Sequence, residues 1–177
     1  MKIDSLIFDL DGTLWDSSEG IVATWALVLE NYPEIHKKVT AEELASNFGL
    51  PLEQIARNMF PDQPESLRQQ LMAECGEKEN LYLAEHGGLL YPKLEETLRN
   101  LSEKYPLFIV SNCQDGYIQS FYSGNHTEKY FKDCECIGVT GKSKGENIRL
   151  VMERNGLKAP VYVGDTQGDA EIGRAHV

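Results

Sequence analysis

Four aspartates and a lysine carry most of the chemistry open to this chain of 177 residues. Asp9 and Asp11 stand two apart, directly after the apolar run Leu6-Ile7-Phe8 and just before Gly12. Asp165 and Asp169 follow a second apolar run, Val161 to Val163, and Ser111-Asn112 follow a third, Leu107 to Val110. Short, continuous apolar runs predict strands buried on both faces, as in a parallel sheet. Ligands of open parallel sheets bind outside the carboxyl ends of the strands. Asp9, Asp11, Ser111 and Asp165 are therefore expected in one crevice. Two like charges about 4 Å apart repel by roughly 4 kcal/mol at an effective dielectric near 20. Such crowding calls for a divalent cation, a protonated acid, or both. Oxygen-only ligands suit magnesium, which takes one or two carboxylates, waters and a substrate phosphate. Ser111 and the amides beside it can donate to a phosphate oxygen, and Lys144 supplies a point positive charge. These parts match phosphoryl transfer, where positioning and charge stabilisation do most of the work.

The elements that must position them follow from periodicity. Leu94, Leu98 and Leu101 share a helix face after Pro92; Ile118, Phe121 and Tyr122 mark a shorter helix; Ile148, Val151 and Met152 mark another, ended by Gly156. A fourth strand is expected over Cys136 to Val139. Strands alternating with helices imply an α/β fold, a parallel sheet with helices on both faces. Residues 18–88 break that alternation with helix patterns alone: Ile21, Val22, Trp25 and Leu29; a capping box at Thr40 and Glu43; Leu52, Ile55, Ala56 and Met59; then Leu67, Leu71 and Cys75, continuing through Tyr82. The expected organisation is a core of residues 1–17 and 89–177 interrupted by an inserted helical module, 18–88.

Composition narrows the functional classes. A formal charge of −11 argues against a nucleic-acid binder, which needs clustered Lys and Arg. No apolar run approaches the roughly 20 residues that span a bilayer. Cys75, Cys113, Cys134 and Cys136 lack zinc-site spacing and a secretory context, so free packing thiols are expected. The expected setting is cytoplasmic, as a monomer or weak dimer, with a small phosphorylated metabolite as partner and neither nucleic acid nor membrane.

Asp9-Leu10-Asp11-Gly12-Thr13-Leu14 resembles the first motif of the haloacid dehalogenase-like hydrolase superfamily. Ser111-Asn112 resembles its second, Lys144 in Ser-Lys-Gly-Glu-Asn-Ile its third, and Gly164-Asp165-Thr166-Gln167-Gly168-Asp169 its fourth. The resemblance implies a Rossmann-like core and assigns roles. Asp9 attacks phosphorus to form an aspartyl-phosphate, and Asp11 acts as general acid and then base. Asp9, Asp165 and the backbone carbonyl of Asp11 hold Mg2+, supported by Asp169. Ser111, Asn112 and Lys144 bind the phosphate, with Lys142 an alternative lysine. The helical module falls where the superfamily carries a C1-type cap, and Gly49-Leu50-Pro51-Leu52-Glu53 resembles a cap loop of phosphoglycolate phosphatase-like members. Asp11 argues against the dehalogenase branch. Similar proteins continue past Asp169 into a further strand and helix; here eight residues follow it, and Gly173 to Val177 do not resemble that continuation. A truncated C-terminus is therefore expected.

Each residue also has a plainer reading. Asp9 before Gly12 suits an acidic turn, Ser111-Asn112 a helix cap, Lys144 a solvated charge, and Asp165 and Asp169 caps. Trp25 reads as core of the helical module, His36 and His126 as exposed, His86 as a loop residue, and Glu74 to Glu79 as a solvated face. Recurrence at several strand ends in order favours the catalytic reading. It leads to Mg2+-dependent hydrolysis of a small phosphomonoester, phosphoglycolate or a sugar phosphate. The alternatives are a phosphomutase of the beta-phosphoglucomutase type, against which Thr13 leans, and a silent phosphate-binding protein.

Overall fold

A computed structural model describes residues 3–175. Four parallel strands form the central sheet: β1 (Ser5–Phe8), β4 (Leu107–Ser111), β5 (Phe131–Cys136) and β6 (Pro160–Val163), in the order β5-β4-β1-β6. Leu6 pairs with both Leu107 and Val161, so β1 is central. Its alternating side chains feed two cores. Leu6, Phe8, Leu107 and Ile109 enter a large cluster on one face; Ile7, Phe108 and Val110 enter a smaller one on the other.

Helices cover both faces. α8 (Lys144–Asn155) lays Ile148 and Val151 on the smaller cluster, and α6 (Tyr117–Asn125) lays Ile118 and Phe121 on the larger, with Leu98 of α5 (Leu94–Ser102). α8 starts at a reciprocal capping box between Ser143 and Glu146 and ends at Gly156, whose φ is +67°. The chain runs outward from β1 through β4 to β5, then crosses back to place β6 on the far side of β1. That reversal opens a crevice at the carboxyl ends of β1, β4 and β6.

Between β1 and β4 lies a run of helices: α1 (Ser18–Leu29), α2 (Ala41–Ala45), α3 (Leu52–Met59) and α4 (Glu65–His86). Two short strands, β2 (Trp15–Asp16) and β3 (Leu89–Leu90), pair antiparallel where the chain leaves and rejoins the sheet, an element the sequence reading lacked. Trp25, Val28, Leu71 and Leu83 share the large cluster with the sheet, so no apolar boundary separates the two parts.

Two expectations fail. Cys136–Val139 is not a strand: β5 is the charged run Phe131–Cys136, and the apolar residues after it form a helical turn, α7 (Ile137–Thr140), with Val139 exposed. The reason is Arg154, whose guanidinium binds Asp133 (2.5 and 2.8 Å) and Glu135 (2.7 Å), so a charged sequence can serve as an edge strand. The capping box at Thr40 is half made. Its hydroxyl accepts from the Glu43 amide at 3.2 Å, but the Glu43 carboxylate pairs with Lys37. The four cysteines are free. The remaining short helices are a 3₁₀ turn at Glu128–Tyr130 and α9 (Gln167–Ala175). Of the tail at 173–177, His176 and Val177 lie outside the described residues. Among the described residues no helix is long and apolar enough to cross a membrane.

Candidate active site

Asp9 is the first residue past β1, its amide donating to the Val163 carbonyl (2.8 Å). The next turn is tight: the amides of Thr13 and Leu14 both return to the carbonyl of Leu10, and Gly12 takes a φ of +78°. A Cβ at Gly12 would stand 2.3 Å from Asp165 Oδ2, so the glycine is what lets this loop approach the loop after β6. The turn sends Asp9 and Asp11 in different directions.

The Asp9 carboxylate is buried, at 1% exposure, against Lys144 and Asp169. Lys144 Nζ lies 2.9 Å from Asp9 Oδ2 and 2.8 Å from Asp169 Oδ1. The contact with Asp9 is an ion pair, and no other side chain donates to either Asp9 oxygen among the described residues. Burial pushes the Asp9 carboxyl up and Lys144 draws it back in part. Burial would lower the Lys144 ammonium, but Asp9 and Asp169 together outweigh it and hold it above the usual lysine value. Asp169 is itself anchored: Oδ2 accepts from the Thr166 amide (3.0 Å) and hydroxyl (2.6 Å), and Tyr162 donates to Oδ1 (3.3 Å). Burial opposes its ionisation, yet Lys144 and Thr166 hold it below the ordinary carboxylate range.

Asp11 faces the helical segment. Its Oδ1 accepts from Trp15 Nε1 (2.9 Å), Ser17 Oγ (3.0 Å) and Tyr117 OH (2.8 Å). Burial outweighs these three neutral donors and raises the carboxyl to about 7, with Asp9 adding to the rise. All three donors meet one oxygen, Oδ1.

Ser111 ends β4 and is buried, lining with Asp11 and Tyr117 a small cavity between the strand ends and the helical segment. Asn112 does something the sequence did not suggest: its Nδ2 donates to the Gly49 carbonyl (2.9 Å), tying the loop before α3 to the strand end. Asp165 is exposed and accepts from Thr13 Oγ1 (2.9 Å). Lys142 is exposed, whereas Lys144 is the lysine brought to Asp9. Thus Asp9, Lys144, Asp165 and Asp169 form one cluster, with Asp11 and Ser111 on the side toward the helices.

Sequence reasoning missed Trp15, Ser17 and Tyr117 around Asp11, and misjudged Glu79. Glu79 is not solvated but buried at 5% exposure, accepting from Trp25 Nε1 (2.8 Å) and from Gln114. Burial raises its carboxyl to about 7. The signal was present: Leu71, Cys75, Glu79 and Leu83 follow one another at four-residue steps, placing an acid on an apolar helix face. His86 ends α4, stacked on Tyr82, rather than sitting in a loop.

Donor chemistry fits a hard divalent cation. Asp9, Asp165 and Asp169 each offer a carboxylate oxygen, mutually within 4.8 Å, and Asp9 Oδ1 is a buried acceptor with nothing bound to it.

Fold and site together define a Rossmann-like α/β protein with a cluster of carboxylates at the ends of its parallel strands. The profile of the family described as haloacid dehalogenase-like hydrolase matches residues 6–176, and the chain belongs to that family. Among curated relatives, a phosphoglycolate phosphatase from Pectobacterium atrosepticum is 26% identical over 98% of this chain and 76% of its own length. Pyrophosphatase PpaX from Listeria monocytogenes is also 26% identical, over 98% and 79%. A haloacid dehalogenase-like hydrolase from Bacteroides fragilis shares the fold at a TM-score of 0.81, with 24% identity, covering 98% of this chain and 84% of its own.

Proposed function

We propose that this chain is a magnesium-dependent phosphatase that hydrolyses small phosphate monoesters by way of an aspartyl-phosphate on Asp9. The observation that carries the reading is the Asp9 carboxylate, buried beside a lysine with no other side chain donating to either oxygen among the described residues. A buried carboxylate in a structural role collects donors; a nucleophile needs a free lone pair.

In the first step an Asp9 oxygen bonds to phosphorus as the ester P–O bond breaks, and Asp11 delivers its proton to the leaving oxygen. Asp11 lines the cavity in which the leaving group would sit. In the second step water attacks phosphorus, Asp11 takes its proton, and the Asp9–phosphorus bond breaks to release inorganic phosphate. A carboxyl near 7 suits both duties at neutral pH. Lys144 offsets charge on the phosphate oxygens, and Ser111 donates to one of them. Asp9, Asp165 and the carbonyl of Asp11 would hold Mg2+, with Asp169 positioning Lys144 and supporting the metal. Bound there, the ion supplies positive charge to the phosphate oxygens and offsets the repulsion among the carboxylates.

Residues 18–88 act as a cap over a core of 1–17 and 89–177. The β2–β3 pair would form the hinge, and the Asn112–Gly49 bond would hold the closed position. Closure would exclude water from the aspartyl-phosphate until it is needed. The test is phosphate release from a panel of small esters, with magnesium or with EDTA, beside Asp9→Asn. Magnesium-dependent release lost in Asp9→Asn is expected. Release that survives the substitution, or isomerised sugar phosphate without free phosphate, overturns the reading.

A further inference from the structure

Between the strand ends and the helical segment lies a small, partly open cavity of about 50 Å³ on which Asp11 and Ser111 open. In the proposed reaction it receives the leaving group, and its lining decides which leaving groups are accepted. That lining holds two acids, Asp11 and Glu79, and no lysine, arginine or histidine. The arginines of the helical segment are engaged elsewhere. Arg57 pairs with Glu53 at 3.7 Å and Arg68 donates to the Gln63 carbonyl at 2.8 Å, both along the neighbouring groove between α3 and α4, which Leu52, Met72 and Gln114 divide from the cavity.

Glu79 is the unusual member. Its two oxygens accept from neutral donors only, Trp25 Nε1 and Gln114 Nε2, and among the described residues it has no ion pair. A buried carboxylate without a counter-charge is costly. Around it the cavity is walled by aromatic and aliphatic side chains, including Trp25, Phe48 and Tyr117. A carboxylate among aromatic faces is the chemistry that receives an alkylammonium group, through charge and cation–π attraction. A second carboxylate or phosphate on the substrate would instead meet two acids and no cation.

We infer that the leaving group is a small amino alcohol, its ammonium seated on Glu79 among the cavity's aromatic rings, and that anionic leaving groups are rejected. This rests on the phosphatase reading and narrows it away from phosphoglycolate and pyrophosphate. A cavity of this size admits such a group only once the helical segment has opened, so recognition and closure are coupled.

Four esters decide it at about pH 8, above the midpoint of about 7 for Glu79: 2-aminoethyl phosphate, ethyl phosphate, phosphoglycolate and p-nitrophenyl phosphate. In the wild type kcat/KM is expected to favour the aminoethyl over the ethyl ester by about tenfold or more, with phosphoglycolate slowest. In Glu79→Gln, whose amide oxygen can still accept from Trp25 Nε1 and whose NH2 can donate to Gln114 once that amide turns its oxygen round, that preference should collapse to within about threefold, with folding checked by a thermal melt. Phosphoglycolate as the fastest substrate, or a preference unchanged in Glu79→Gln, overturns the inference. If Glu79→Gln does not fold, the wild-type ranking decides alone. Release from p-nitrophenyl phosphate that depends on Asp9, with the ranking reversed, sinks the amino-alcohol assignment and spares the phosphatase. No release from any ester removes both.

Discussion

Lys144 Nζ stands 2.9 Å from Asp9 Oδ2, with both side chains almost fully buried, yet the two residues lie in different elements, β1's end and the first turn of α8. The pair joins the smaller core to the crevice, because Lys144 begins the helix whose Ile148 and Val151 pack under Ile7 and Phe108. Asp169, 2.8 Å away on α9, completes it. The ammonium is thus the only positive charge in contact with two buried carboxylates among the described residues.

Lys144→Met is accordingly expected to destabilise the chain by about 3–5 kcal/mol, since it leaves buried charge without compensation. Urea unfolding at neutral pH measures it. Adding Asp9→Asn to that variant should restore part of the loss, because one uncompensated charge is removed with the other. Purely additive losses would show that Lys144 matters for packing and not as a counter-charge.

In the proposed reaction Gly12→Ala is expected to act on metal binding more than on attack by Asp9. At φ +78° any side chain is strained, by about 1–3 kcal/mol, and a Cβ would meet Asp165 Oδ2 at 2.3 Å, pushing that carboxylate away. The magnesium concentration giving half-maximal activity should rise about tenfold or more, as when groups supporting a metal are lost. An unchanged magnesium requirement would show that Asp165 is not needed to hold the ion.

How much of this was legible depended on whether a residue's role was local. The runs before Asp9 and Ser111 announced their strands because both faces of β1 and β4 are buried. The run before Asp165 is as apolar, although β6 is an edge strand that leaves Val161 and Val163 exposed and so is not buried on both faces as expected. β5 was hidden because its charges are neutralised by Arg154, a residue of α8 some twenty positions on, and no local pattern carries that information. Lys144 could be told from Lys142 only by where α8 begins. The donors to Asp11 come from Trp15, Ser17 and Tyr117, the last 106 residues away, so the turning of Asp11 away from Asp9 could not be read from the spacing of the two aspartates. Glu79 was visible as an acid on an apolar stripe and was passed over because it sits among other charges.

Asn112→Ala removes the hydrogen bond that ties the β4 end to the loop at Gly49 and should favour an open form of the proposed cap. The loss of about 1 kcal/mol translates into a KM about fivefold higher with kcat little changed. Protease cleavage within residues 47–51 should quicken in parallel. A fall in kcat with KM unmoved would place Asn112 on the reacting phosphate, as its position after Ser111 first suggests, and not on the cap.

Glu79→Gln is expected to change the pH dependence of stability in one direction. Burial raises the carboxyl from 4.5 to about 7 on folding. Between those values the folded chain holds a proton that the unfolded chain has released, so raising the pH across that window favours unfolding. Wild-type stability should therefore decline relative to Glu79→Gln, by up to about 3 kcal/mol from pH 4.5 to 7, and run parallel to it above. Below pH 4.5 the carboxyl is protonated in both states and the difference between the two chains should again be constant. The measurement is a pair of urea titrations at intervals across the range. Curves that stay parallel throughout would mean that Glu79 ionises normally, with water reaching a carboxylate that the closed structure keeps at 5% exposure. The helical segment would then spend much of its time open, and the cavity beside Asp11 would be hydrated in the resting protein.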